Sequence, residues 1–171
     1  EALIKKNYRF FSNTDTEVIL NAFKEWGFDC FEKFNGEWSL CIFDKMEEKI
    51  IISRDGIGYK PCYLYEDKNY FSFSSELKSF YVLNNGIEYD ASNLGIDNIT
   101  LYNCNKTVFK NITQLPQGRL IEVNIKDCNK KIIRWDFPLK KLPKISSGFK
   151  ENTNDYYELL YNATLLRTNS D

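Results

Sequence analysis

Apolar residues follow a helical pattern at the start of the chain and a strand pattern after it. Between Thr14 and Trp26 they recur at helical spacing. Thr14 and Glu17 have the spacing of a capping box, and Gly27 lies where a helix commonly ends. We therefore predict a helix from Thr14 to Trp26, with one apolar side formed by Val18, Ile19, Ala22, Phe23 and Trp26.

Beyond Phe34, apolar residues alternate with a period of two, which predicts strands. In the first strand Leu40 and Ile42 alternate with Cys41 and Phe43, so we expect both of its sides to be covered. Short helices are predicted after Ser74 or Ser75 and at Asp90–Leu94. The strands are predicted at 38–43, Lys49–Ser53, Cys62–Tyr65, Tyr70–Phe73, Thr107–Lys110, Arg119–Asn124 and Lys131–Trp135.

Hairpins followed by helices, without regular strand–helix–strand alternation, indicate an α+β fold with antiparallel sheets. Strands that are apolar on both sides favour two stacked sheets with helices outside them. Residues 1–136 are predicted to form one domain. Residues 137–153 contain Pro138 and Pro143 and are predicted to be a linker. A helical pattern from Asn154 to Leu166 stops close to Asp171, which predicts the first helix of a further domain.

Composition and charge exclude several functions. Among the 171 residues the net charge is −1, so no basic excess points to nucleic acid. No apolar run approaches the length of about 20 residues that a membrane span needs. The chain has no histidine, which excludes Ser-His-Asp and Cys-His catalysis and His-ligated zinc within it. The five cysteines are widely spaced, which favours reduced cytoplasmic thiols over disulfides or a metal site.

Three short segments are candidates for ligand contacts. Arg54 and Asp55 could clamp an anion, but such a pair more often ends a strand and holds a loop. Asn35–Glu37 could read a polar substrate, but an ordinary turn explains it better. Gly56 and Gly58 lack the third glycine of a dinucleotide fingerprint. The best single candidate is Asp15, although acidic residues are also common in first helical turns for stability alone.

Several motifs occur in the order found in one enzyme family. Asn13–Leu20 resembles its S-D-T-E-V-I-L helix start, and Arg54–Tyr63 resembles its R-D-x-x-G-x-K-P-x-Y loop. The chain resembles the glutaminase domain of asparagine synthetases, the class II glutamine amidotransferases. The other matching segments are Phe34–Asp44, Phe73–Lys78, Leu115–Gly118 and Arg167–Asp171.

The resemblance implies an αββα four-layer sandwich of the N-terminal-nucleophile hydrolase type. In that family the first residue is a cysteine whose thiolate attacks the glutamine side-chain amide, with its own α-amino group as base. Ammonia leaves, and water then releases glutamate from the acyl-enzyme. A synthetase domain that requires ATP and magnesium uses the ammonia to amidate aspartate. No cofactor or metal is expected in the glutaminase domain itself.

Only one of the family's functional residues has a counterpart in this sequence. Asp15 matches the aspartate that binds the α-ammonium group of L-glutamine. The family's nucleophile, substrate arginine and Asn-Gly-Glu loop all precede the segment that Glu1 begins, so no catalytic residue is predicted in this chain. The first strands of the fold are expected to be missing too, and the chain as written is expected not to hydrolyse glutamine. Trp38, Cys41 and Cys62 depart from the family's residues and are interpreted as core variation.

Two alternatives remain open at this stage. One is a catalytically degenerate scaffold, as in β-lactam synthetases, which keep the fold without the nucleophile. The other is a non-enzymatic binding module with a similar order of hairpins. The expected partners are L-glutamine and a synthetase domain, with no nucleic acid and no membrane, and a homodimer is allowed.

Overall fold

The computed structural model describes residues 1–82, 87–97, 100, 104–135 and 149–168. The chain divides into two compact units, Glu1–Phe137 and Pro138–Asp171. The first unit contains all the described strands, which are β1 Ser39–Asp44, β2 Lys49–Arg54, β3 Tyr63–Glu66, β4 Phe71–Ser74, β5 Ile112–Gln114, β6 Arg119–Asn124 and β7 Lys130–Arg134.

The helix predicted near the start of the chain is confirmed. Helix α1 spans Asp15–Trp26, with Thr14 as its N-cap residue. It ends at Gly27, whose φ of 54° lies in the region that favours glycine and whose N–H bonds to the carbonyl of Phe23. Short 3-10 helices lie at Ile4–Lys6, Gly27–Lys33 and Leu77–Val82.

The strands form two antiparallel sheets. The first has the order β1-β2-β6-β7, and the second has the order β4-β3-β5. Ile42 pairs with Ile51 between β1 and β2, and Ile52 pairs with Ile121 between β2 and β6. In the second sheet Leu64 lies between Phe73 on one neighbour and Thr113 on the other. The predicted antiparallel α+β architecture is therefore confirmed.

The side chains of β2 show how the layers stack. Ile51 packs in the cluster beneath α1, together with Ala22 and Phe31. Its neighbour Ile52 points the other way and packs against Leu64 of the second sheet. A third cluster, built around Tyr65, Phe80 and Ile112, joins the far side of the second sheet to the 3-10 helix Leu77–Val82. Helix, sheet, sheet and helix follow in that order, which is the expected αββα layering.

Several local predictions are wrong. Only one side of β1 is covered, because β1 is an edge strand: Cys41 and Phe43 are exposed on the side that faces the second sheet. Thr107–Lys110 is not a strand, since the Thr107 hydroxyl donates to the Ile112 carbonyl at 2.8 Å and accepts from the Phe109 N–H at 3.1 Å, folding the segment back. Residues 90–94 form turns rather than a helix.

The second unit contains helix α2, Phe149–Thr168. It begins earlier than the predicted start at Asn154, within the segment predicted to be a linker. Residues 136–148 lie outside the described part of the chain, so the predicted domain boundaries stay a prediction. Neither helix within the described ranges is both long and apolar enough to cross a membrane.

The loop after β2 is held from the inside by a buried carboxylate. Asp55 is 1% exposed. Its Oδ1 accepts N–H bonds from Ile57, Gly58 and Tyr59 at 3.1, 2.7 and 3.0 Å, and its Oδ2 accepts one from Lys60 at 3.0 Å. A single side chain therefore satisfies four consecutive backbone donors, which determines the path of the loop.

Arg54 completes the same structure. Its guanidinium donates to the carbonyls of Lys60 at 2.8 Å, Gly58 at 2.6 Å and Leu115 at 2.8 Å. Leu115 follows β5, so this side chain connects the first sheet to the second. Burial with full hydrogen bonding makes Arg54 and Asp55 structural, as the commoner explanation of such a pair suggested.

Gly58 is expected to tolerate no side chain. Its φ is 75°, and a Cβ atom there would lie 3.0 Å from the Gln117 Cβ and 3.2 Å from the Arg54 Cζ. Gly58→Ala should lower the free energy of unfolding by about 1–3 kcal/mol, measured by urea denaturation. Gly95→Ala is the matched control, because Gly95 also has a positive φ but an added Cβ would meet nothing within 4 Å. Equal losses in both variants would contradict the steric argument.

Asp55 should make the fold sensitive to acid. Burial of the carboxyl raises its pKa, but the N–H donors of Lys60, Tyr59, Gly58 and Ile57 lower it more, and the resulting pKa is below the ordinary value. Because the folded-state pKa is lowered, this stabilisation is complete above the unfolded-state pKa of about 3.9 and is lost as pH falls below it.

Asp55→Asn should therefore cost about 1–3 kcal/mol of unfolding free energy at neutral pH, since an amide cannot accept all four bonds. The difference from the unaltered chain should narrow in urea titrations near pH 3. The exposed Asp29→Asn serves as control and should change stability little at either pH. A difference for Asp55→Asn that is independent of pH would argue against this role.

Candidate functional site

A pocket of about 290 Å³ lies between the first turn of α1 and the segment that leads into β1. This volume is near the lower end for small-molecule sites, which suits a ligand of amino-acid size. Asp15 stands on the helix side of the pocket, and Trp38 stands on the other. The lining residues are Asp15, Val18, Ile19, Lys33, Phe34, Asn35, Gly36, Glu37, Trp38 and Leu40.

Asp15 lines the pocket from the first turn of α1. It is the first residue of α1, and its side chain is exposed. Among the described residues its carboxylate has no hydrogen bond or ion pair, whereas most neighbouring polar side chains have one. The backbone N–H groups of a first helical turn lie nearby, so the charge is compatible with its position even when no ligand is bound.

The helix start is held by a different contact from the predicted capping box. The side chain of Thr14 makes no capping bond. Glu17 instead accepts the Phe11 N–H at 2.9 Å, the Ser12 N–H at 2.8 Å and the Ser12 hydroxyl at 2.6 Å. The Ser12 hydroxyl, followed by the Phe11 N–H, lowers the pKa of Glu17. The segment before α1 is thereby folded against the helix, which leaves Asp15 open to the pocket.

The opposite wall of the pocket is built from aromatic rings that pack against one another. Trp38 packs edge-on against Phe34 and stacks on Trp135, with ring centroids 5.4 Å apart in both pairs. Its indole N–H donates to the Ser53 hydroxyl at 3.4 Å. The Trp38 carbonyl accepts the Asp55 N–H at 2.9 Å, so the wall is also connected to the loop that follows β2.

Asn35–Glu37 was predicted to be an ordinary turn, yet all three residues line the pocket. Nothing in the local pattern indicates this, because the approach of the segment to Asp15 depends on the path of the chain through the 3-10 helix Gly27–Lys33, which connects the two. Gly36 is open, since an added Cβ there would meet nothing within 4 Å. Arg54 and Asp55 are not among the lining residues.

The polar groups of the pocket are those that a small zwitterion requires. Asp15 and Glu37 supply carboxylates, Asn35 supplies an amide, and Lys33 supplies a cation whose Nζ lies 5.3 Å from the centroid of the Trp26 ring. Within the described residues there is no cluster of three or more metal-binding side chains. The pocket therefore brings side chains of both charges and an amide together on one small surface.

The described cysteines do not form a nucleophilic site. Burial raises the pKa of the Cys30 thiol to about 12, and burial also raises the pKa of Cys62. Neither Cys30 nor Cys62 lines the pocket, and neither do Cys41, Cys104 or Cys128. A raised pKa disfavours the thiolate, which is the reactive form.

The comparisons with known proteins agree on one family. A family model described as a glutamine amidotransferase domain matches residues 1–134. A Methanocaldococcus jannaschii protein that bears the name asparagine synthetase [glutamine-hydrolyzing] 2 is 36% identical over 98% of this chain. A Bacillus subtilis protein named asparagine synthetase [glutamine-hydrolyzing] 2 is 27% identical over 85% of the chain. The matched part is 33% of the first relative and 20% of the second.

A solved structure shares the fold. It is described as the allosteric regulatory enzyme of purine biosynthesis, and it superposes with a TM-score of 0.57 over 80% of this chain and 25% of its own. Sequence identity is 16%, so this likeness concerns the arrangement of helices and sheets alone.

Proposed function

Since the chain belongs to the family of glutamine amidotransferase domains, we propose that it is the glutamine-recognising domain of an asparagine-synthetase-like enzyme. The observation that carries this proposal is the exposed carboxylate of Asp15, which has no partner among the described residues and lies in a pocket of amino-acid size. A carboxylate that receives an ammonium group forms a charge-assisted hydrogen bond, one of the stronger polar contacts in proteins.

In this proposal Asp15 binds the α-ammonium group of L-glutamine. The substrate's side-chain amide would then extend away from α1, toward a nucleophile that these 171 residues do not supply. Ammonia released from the amide would serve the ATP-dependent amidation of aspartate in a further domain, which would also hold the ATP and magnesium. The 33% share of the Methanocaldococcus jannaschii relative that the chain spans is consistent with such a division of the enzyme.

The binding role of Asp15 can be tested with two ligands that differ only in the α-amino group. Asp15→Asn should weaken the binding of L-glutamine by about 10- to 100-fold, which corresponds to a charged hydrogen bond of about 1.5–3 kcal/mol. Binding of glutaramic acid, which lacks the amino group, should be unchanged. Trp38 lines the pocket, so tryptophan fluorescence titration can report both affinities.

Asp29→Asn is the control variant, since Asp29 is exposed but lies outside the pocket. It should bind both ligands as the unaltered chain does. Equal weakening of both ligands by Asp15→Asn would indicate a damaged helix start rather than a lost ammonium contact. No effect on L-glutamine would remove Asp15 from the site.

The 171-residue polypeptide is expected to bind glutamine without hydrolysing it. It has no histidine, and burial keeps the thiols of Cys30 and Cys62 protonated. Ammonia release from L-glutamine, followed in a coupled assay, should therefore not exceed the rate in buffer. Activity that disappears on replacing one of the exposed thiols, as in Cys104→Ser or Cys128→Ser, would overturn this expectation.

The first residue of the intact gene product, together with its release of ammonia from glutamine, distinguishes an active glutaminase from the scaffold alternative. If its processed first residue is cysteine and it releases ammonia from glutamine, the domain is an active glutaminase. If it lacks that cysteine and releases none, the domain is a scaffold of the kind found in β-lactam synthetases.

A further inference from the structure

Ser53 is a buried polar residue in an otherwise apolar part of the first sheet. It is fully buried on β2, where its direct neighbours across the sheet are Leu40 on β1 and Leu120 on β6. A hydroxyl in such surroundings costs free energy unless it is hydrogen-bonded. Among the described residues, the only group that bonds to this hydroxyl is the indole N–H of Trp38, which donates at 3.4 Å. The Trp38 ring therefore accounts for a polar side chain at this position.

The register of the strands explains how the two side chains meet. Leu40 is the direct partner of Ser53, so Trp38 lies diagonally across from Ser53, at a separation that an aromatic side chain can reach. Ile51 packs with Trp38 in the cluster beneath α1, and Ser53, two residues further along β2, points to the same side. The hydroxyl and the indole thus meet on the side of the sheet that faces α1.

The hydrogen bond determines which edge of the Trp38 ring faces the pocket. Stacking on Trp135, with ring centroids 5.4 Å apart, fixes the plane of the ring but not its orientation within that plane. The second side-chain torsion of tryptophan is broad and roughly two-fold, so a half-turn would keep the plane and exchange the two edges. Because only one edge carries an N–H group, the bond to Ser53 selects one of the two orientations.

The Trp38 ring is the largest side chain that lines the pocket, and it stands across the pocket from Asp15. A ligand whose α-ammonium group is bound by Asp15 would direct its side chain toward that wall. Aromatic and apolar side chains supply most of the lining of small-molecule sites. The part of glutamine that an aromatic ring can cover is the pair of methylene groups between its α-carbon and its amide.

We propose that Ser53 is a positioning residue for the candidate site: it holds the Trp38 ring in one orientation, and that ring packs against the side-chain methylenes of the bound amino acid. This inference rests on the proposed function, because it takes L-glutamine as the ligand. Asp15 then recognises the α-ammonium group, which all amino acids share, and the positioned Trp38 ring selects for the length of the side chain.

The orientation of the ring is tested without a ligand, by the NMR signals of the tryptophan indole N–H groups. The Trp38 signal is identified by its absence in Trp38→Phe. In Ser53→Ala this signal should move upfield, because the N–H group loses its acceptor. Ser72→Ala is the matched control, since Ser72 is also a strand serine, but its buried hydroxyl has no hydrogen bond among the described residues. An unchanged Trp38 signal in Ser53→Ala would overturn the proposal.

The effect on specificity is tested by comparing L-glutamine with L-alanine, which has the same α-groups but only a methyl side chain. The unaltered chain should prefer L-glutamine, with both affinities measured by NMR titration. Ser53→Ala should reduce this preference by about 3- to 10-fold, the effect of losing about one ordinary hydrogen bond, by weakening L-glutamine alone. Ser72→Ala should leave the preference unchanged. An equal loss of affinity for both ligands in Ser53→Ala would indicate general damage to the pocket and would refute the proposal.

Further variants separate positioning from a loss of packing. Ser53→Thr retains the hydroxyl and should keep both the Trp38 signal and the preference for L-glutamine. If Ser53→Ala does not fold, Ser53→Cys takes its place, because a thiol is similar in size but is a weak acceptor. In the Trp38→Phe background, Ser53→Ala should have no further effect on the preference. A further loss there would show that Ser53 acts through another group, which would contradict the proposal.

The outcomes distinguish this inference from the proposed function. If Asp15→Asn weakens both ligands while Ser53→Ala changes neither the Trp38 signal nor the preference, only the positioning role fails. If the unaltered chain does not bind L-glutamine, the proposed function fails and the specificity role of Trp38 fails with it.

Discussion

The hydrogen bonds of Arg54 and Asp55 are the interaction on which the first unit depends. Both residues are almost fully buried at the end of β2, where two sheets and one loop meet. Asp55 satisfies four consecutive loop N–H groups, while its own backbone N–H bonds to Trp38 and its carbonyl accepts from Gly58 and Gly118. Removing either side chain would leave several buried polar groups unpaired, which costs far more than one bond contributes.

Arg54 and Asp55 also support the candidate site, although neither residue lines the pocket. The Trp38 carbonyl is bonded to Asp55, and the Trp38 ring forms one wall of the pocket. The loop therefore positions the end of β1 and the aromatic stack, and the stack faces α1 across the pocket. A motif that looks like an anion clamp thus supports a candidate site that other residues form.

Two concavities lie on the surface of the first unit. The Asp15 pocket is small, and its polar groups are the carboxylates of Asp15 and Glu37, the amide of Asn35 and the cation of Lys33. A second concavity, of about 720 Å³, lies between α1 and the β1–β2 turn, and its floor includes Ile42 and Ile51 of the domain's own apolar core.

Local sequence patterns were sufficient to predict most of the helices and strands. The bounds of α1, the strand Arg119–Asn124 and the paired hairpins follow from apolar periodicity, since burial on one side of an element imposes its period on the sequence. The order of the motifs was sufficient to predict the family. Thr107–Lys110 was wrongly predicted as a strand because a threonine side chain that bonds to the backbone competes with strand pairing, and composition does not reveal that competition.

Relations between distant segments could not be predicted in this way. Exposure of Cys41 and Phe43 depends on β1 being an edge strand, and strand order is not encoded in the apolar pattern of any single strand. The meeting of Asp15 with Asn35–Glu37 depends on the direction in which the 3-10 helix returns the chain. Asp15 was predicted as a site residue from its motif, and that role stays a prediction. The pocket that Asp15 lines arises only when separate elements pack, because a pocket is a property of the space between them.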